Sequence, residues 1–106
     1  MAMYLLEASY SSDGVRGLIR DGGAKRRAAI EAAAASLGGR VEAFYFAFGD
    51  VDAYVIVDLP DNVRANALSL AVNQNGAVRL KTTVLMTAEQ IDQAIAQEVD
   101  YAPPGK

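Results

Sequence analysis

The chain has 106 residues, 52% of them hydrophobic and 22% charged, with 10 Lys and Arg against 13 Asp and Glu for a net charge of −3. This length and balance fit a single domain over residues 1–106 and exclude the disordered and fibrous classes. Neither Cys nor His occurs, so disulfides, thiol nucleophiles and imidazole bases are ruled out, and neither a metal nor a cofactor is expected.

Residues 3–10 (MYLLEASY) are mostly strand formers and alternate, with Met3, Leu5, Glu7 and Ser9 on one face. No basic region followed by a long apolar run precedes them, so no signal peptide is expected and a cytoplasmic location follows by default. Ser11, Ser12 and Asp13 offer N-cap side chains to a helix carrying Val15, Leu18 and Ile19. Asp21-Gly22-Gly23 interrupts it, and Ala24 to Leu37 resumes with Ile30, Ala33, Ala34 and Leu37 on one side before Gly38-Gly39 ends it.

Two strong strands follow, 40–48 (RVEAFYFAF) and 53–59 (AYVIVDL), joined by Gly49-Asp50-Val51-Asp52 as a hairpin. Apolar runs such as Phe44 to Phe48 and Val55 to Val57 are too short to cross a bilayer, and no membrane partner is expected. Pro60-Asp61-Asn62 opens a helix with Val63, Ala67, Leu68, Leu70, Ala71 and Val72 as a broad stripe, closed by Asn75-Gly76. Residues 77–86 form the fourth strand. Thr87 to Gln90 is a capping-box pattern that starts a last helix whose buried edge is expected to be Ile91, Ala94, Ile95 and Val99, and Pro103-Pro104-Gly105 closes a tail.

This order predicts an α+β fold, a ferredoxin-like βαββαβ plait with a four-stranded antiparallel sheet, its long helices on one side, and an extra C-terminal helix. A hairpin loop of even length keeps Phe46 and Val55 on one face. The expected core is then Leu6, Ala8, Phe44, Phe46, Phe48, Val55, Val57, Leu59, Leu80 and Val84. The opposite face carries Met3, Leu5, Glu7, Ser9, Ala43, Tyr45, Ala47, Tyr54, Ile56, Asp58, Arg79, Lys81, Thr83 and Leu85, with Glu7 expected opposite Lys81 and Ser9 opposite Arg79. Its apolar part exceeds what a monomer ordinarily exposes, so a homodimer or higher oligomer is expected; the alternative is cover by the last helix and tail.

Tyr4 to Tyr10, Gly14-Val15-Arg16-Gly17-Leu18, Gly22-Gly23 with Arg26-Arg27-Ala28, and Glu42 to Gly49 together resemble the GYD-domain family. The likeness continues through Asp58-Leu59-Pro60-Asp61, Thr82-Thr83 and Tyr101 to Gly105, nearly the whole chain. The resemblance implies a ferredoxin-like fold of the dimeric α+β-barrel type and carries no settled activity. Members often place Tyr before the hairpin Asp, where this chain has Val51 before Asp52; any chemistry done by that Tyr is lost here.

Three constellations bear on function. Lys25-Arg26-Arg27 falls in the first turn of the resumed helix, where cations oppose the dipole unless an anion binds, although a solvated basic turn explains the same residues. Glu7 and Asp58 are the candidate acid and base, with Lys81 holding an anionic group, against plain ion pairing. Tyr45 and Tyr54 are candidates to stack on a ligand, against amphipathic packing. A nucleic-acid partner is not expected, because the net charge is negative and the open face places Glu7 and Asp58 against phosphates. The leading expectation is a homo-oligomeric protein binding a small anionic metabolite through Arg26, Arg27, Lys81, Tyr45 and Tyr54. Its rivals are a cofactor-free acid/base enzyme using Glu7 or Asp58 and a structural subunit of an assembly.

Overall fold

Capping side chains and glycines divide the chain where its sequence punctuation falls. The computed structural model describes residues 2–105; Met1 and Lys106, the two ends of the expected domain, lie outside the described residues. The elements are β1 (Ala2–Tyr10), α1 (Ser12–Asp21), α2 (Gly23–Ser36), β2 (Arg40–Phe46), β3 (Ala53–Leu59), α3 (Asn62–Asn73), β4 (Val78–Val84) and α4 (Ala88–Ile95). Ser11 caps α1 by accepting from the Gly14 N–H, and Asp61 caps α3 by accepting from the Arg64 N–H. Gly22, at φ 87°, takes the left-handed turn that separates α1 from α2.

The strands order β2-β3-β1-β4, every neighbouring pair antiparallel, which is the ferredoxin-like plait of an α+β protein. Strict alternation puts Tyr4, Leu6 and Ala8 of β1 and Ala53, Val55, Val57 and Leu59 of β3 on the side that the helices cover. Ile30 and Ala34 of α2 and Ala65 and Leu68 of α3 pack down on them, with Phe44 and Leu80 half-buried at the margins. Tyr4 belongs to this core although it is absent from the expected set. Its hydroxyl donates to Asn62 Oδ1 at 2.6 Å, so the polar end is satisfied.

Three expected core residues are corrected. Phe46 shares the helix side with Val55 but ends the edge strand, lies edge-on to Phe44 at 5.1 Å and stays exposed. Phe48 falls past the last ladder pair, Phe46 with Ala53, and projects into solvent from the loop. Val84 points to the helix side at the far end of the other edge strand, where it too is exposed. On the helices, Ile19, Val63 and Leu70 are exposed, so the apolar stripes of α1 and α3 are narrower than their composition suggests.

The last helix forms as expected, with Thr87 and Gln90 closing a complete capping box, but no residue of it is buried. The expected buried edge of Ile91, Ala94, Ile95 and Val99 therefore has nothing beneath it. Every residue from Met86 to Gly105 is exposed, so helix and tail do not cover the sheet.

Candidate functional site

Cross-strand register builds the bare face of the sheet into rows. Tyr45 pairs with Tyr54, Tyr54 with Glu7, and Glu7 with Lys81, one residue from each strand in a line. The next row is Ala43, Ile56, Leu5 and Thr83. Beyond it Arg40 faces Asp58, which faces Met3, and at the other end Ser9 faces Arg79. Both expected pairings, Glu7 with Lys81 and Ser9 with Arg79, are ladder neighbours. Among the described residues, however, neither Glu7 nor Lys81 enters an ion pair.

Tyr45 and Tyr54 are 73% and 43% exposed. Asp58 is half-buried, and its Oδ1 is enclosed without a hydrogen-bond partner. Arg40 stands across the ladder from it but gives its side chain to Glu42 at 2.5 Å, which holds the guanidinium above its ordinary value with a smaller contribution from Asp58. Asp58 pairs with Met3, four residues along β1 from Glu7, a separation of about 13 Å at strand rise. Within one protomer the two acids thus lie too far apart to serve one substrate atom together.

The basic cluster lies on the other side of the sheet, in α2, so the structure does not join Arg26 and Arg27 to Lys81, Tyr45 and Tyr54. Lys25 approaches Asp21 at 3.8 Å and Arg27 approaches Glu31 at 3.9 Å, both on exposed surface. Arg26 differs. It is half-buried, its Nε is enclosed with no hydrogen-bond partner, and among the described residues no carboxylate pairs with it.

Arg26 borders a cleft of about 280 Å³ between α1, α2 and the β1 and β4 ends of the sheet, lined also by Tyr10, Gly17, Leu18, Ala29 and Val78. Asp13 and Asp21 reach the same cleft, but Asp13 is bound by Arg16, and Asp21 by Arg20 and Lys25. The hydrogen bond from Arg20 holds the Asp21 carboxyl below the usual carboxylate range. Asp21 is shared by Arg20 and Lys25, so the cleft lining carries more positive than negative charge, and Arg26 is the cation in it with no carboxylate partner among the described residues. Tyr10 was not among the expected site residues, although its even position in β1, with Tyr4, Leu6 and Ala8, signals the helix side.

A half-buried guanidinium without a carboxylate partner favours an oxyanion, to which its nitrogens can donate hydrogen bonds. Among the described residues no group of three or more acids is placed to hold a metal ion. No helix of the described residues is long and apolar enough to cross a membrane.

The family model described as GYD domain matches residues 4–95. No curated protein and no solved structure matches the chain.

Proposed function

The chain belongs to the GYD-domain family, and from that premise we propose that it is a self-associating module that binds a small anion, held by Arg26 in the cleft between α1 and α2. The observation that carries this reading is the enclosed, unpartnered Nε of Arg26 at the edge of a cleft whose lining cations outnumber its carboxylates. Arg27 is engaged with Glu31 and Lys81 lies on the opposite side of the sheet, so the anion is assigned to Arg26 alone among the three expected cations. Self-association is supported by the bare face, where Leu5, Tyr45, Tyr54 and Ile56 adjoin in two neighbouring rows with no helix over them.

The test is a thermal-shift titration with inorganic phosphate and a set of small mono- and dicarboxylates, on the wild type and on Arg26→Gln. A ligand at a hundredfold its Kd adds about 2.7 kcal/mol to native stability. That corresponds to a rise in Tm on the order of 10 °C for a domain of this size. The rise is expected in the wild type and in Lys81→Gln, and lost in Arg26→Gln. Equal responses in all three proteins, as general salt stabilisation produces, would contradict the assignment.

A cofactor-free acid/base enzyme is the second reading, and the observation favouring it is the enclosed Asp58 Oδ1. Turnover that is lost in Asp58→Asn while the fold survives would favour it over the binding module.

A further inference from the structure

The C-terminal segment is shaped as a helix that packs, yet none of its residues is buried in its own chain. Ala88, Ile91, Ala94 and Ile95 fall on one side of α4, with Glu89 opposite them and Asp92 at the flank beside Ala88. Ile95 is 75% exposed. Eight residues are fewer than the roughly 12–15 that an isolated helix needs to hold its shape in water. The segment also stands away from the body: the molecule measures 57 × 33 × 22 Å with a radius of gyration of 16.9 Å, where a compact chain of this length has about 13 Å.

The same chain has a second surface in want of cover, the bare face of its sheet. Four strands at about 4.8 Å spacing and seven residues at about 3.3 Å rise give that face a footprint on the order of 450 Å². A standard stable interface buries about 800 Å² per partner. That footprint is a flat projection, smaller than the accessible area its side chains carry, and the exposed apolar helix on each protomer is a second element available to extend such an interface.

Charge identifies the partner. Residues 86–105 hold Glu89, Asp92, Glu98 and Asp100 and no Lys or Arg, which leaves nine acids against nine bases in residues 2–85. Among the described residues the cations without an ion pair are Arg26, Arg79 and Lys81. Arg79 and Lys81 sit two apart on β4, exposed, at the edge of the bare face. An acidic arm and a basic sheet edge on one chain complement each other between two copies.

We propose that α4 and the tail beyond it form an arm that clasps a second copy, laying Ile91 and Ile95 against the rim of that copy's bare sheet face, with the arm's carboxylates beside the partner's Arg79 and Lys81. Repeated by the two-fold, the clasp closes both sheets. The inference rests on the self-association proposed above, and its test separates the two.

Hydrogen exchange of residues 88–95 is followed on the full chain over a series of protein concentrations, alongside sedimentation. The wild type is compared with Ile91→Ser/Ile95→Ser, Lys81→Glu, and Lys81→Glu/Asp92→Lys. None of these side chains is buried in the protomer, so the variants keep its fold. Protection of α4 is expected to rise with concentration in step with dimer mass. The double Ser variant is expected to weaken dimerisation at least tenfold, and Lys81→Glu to weaken it with recovery in the charge-swapped pair. An unprotected α4 in a dimer, with the Ser variant associating as the wild type does, overturns the arm and leaves sheet-face association standing. A monomer overturns both, whether α4 exchanges freely or is protected independently of concentration because it folds back on its own sheet.

Discussion

Tyr4 shows how one side chain ties strand to helix. Its ring is in the core at 1% exposure, while its hydroxyl bonds Asn62 at the first residue of α3. Burial, and secondarily the Asp61 carboxylate, raise the phenol above its ordinary value. The unfolded chain therefore releases this proton first, and stability falls as the solution becomes alkaline past the free phenol value, about pH 10. Tyr4→Phe is expected to cost about 1 kcal/mol at neutral pH, the net worth of one hydrogen bond, and to flatten the alkaline fall; denaturant titrations at neutral and alkaline pH measure both. Gly39 is a residue of a different kind. A Cβ there would lie 2.1 Å from the Asp58 carbonyl oxygen, in the backbone of β3 held between two strands. Gly39→Ala is expected to lose about 1–3 kcal/mol by overpacking, measured in the same titrations, and a loss below the error of those titrations would show that the β2 edge yields freely.

Among the elements, the β2–β3 hairpin is fastened at Asp52. Its carbonyl accepts from the Ala47 N–H at 2.8 Å, its own N–H donates to the Ala8 carbonyl at 2.9 Å, and its carboxylate accepts from the Tyr10 N–H at 2.7 Å. Asp52→Ala leaves the Tyr10 N–H without that acceptor and is expected to destabilise the protein by about 1–3 kcal/mol, with faster hydrogen exchange at Tyr10. The sequence revealed which face each strand residue takes, because alternation fixes it once the loop parity is known, and the pairing of Glu7 with Lys81 followed from that. It did not reveal where a ladder stops, so Phe48 could not be told from Phe44 by parity alone. Amphipathy in α4 likewise shows which side of a helix seeks cover, and says nothing of whether the chain turns back to supply it. The division of the candidate site was legible in the same way as the strand faces, since alternation puts Lys81 on the face opposite the helices and Arg26 lies on a helix, so the two belong to different sides of the sheet.

At the scale of the molecule, the plait is a layer of helices on a sheet whose other side is left open. That side has an aromatic row end in Tyr45 and Tyr54, an apolar centre in Leu5 and Ile56, and a charged end in Glu7, Lys81 and Arg79. Such a surface is costly for a monomer to leave in water and suits a partner whose apolar and charged parts run in the same sequence. A second copy related by a two-fold offers the same rows in return. The anion cleft at Arg26 lies on the far side, beneath the helices, so ligand binding and self-association are expected to be separable: Arg26→Gln should leave the oligomeric state unchanged. The most direct test is sedimentation of the wild type and Tyr54→Lys over a wide concentration range. A wild-type dimer that becomes a folded monomer when the lysine is introduced is the predicted result, and a wild type that stays monomeric, or a variant that dimerises equally well, would contradict it.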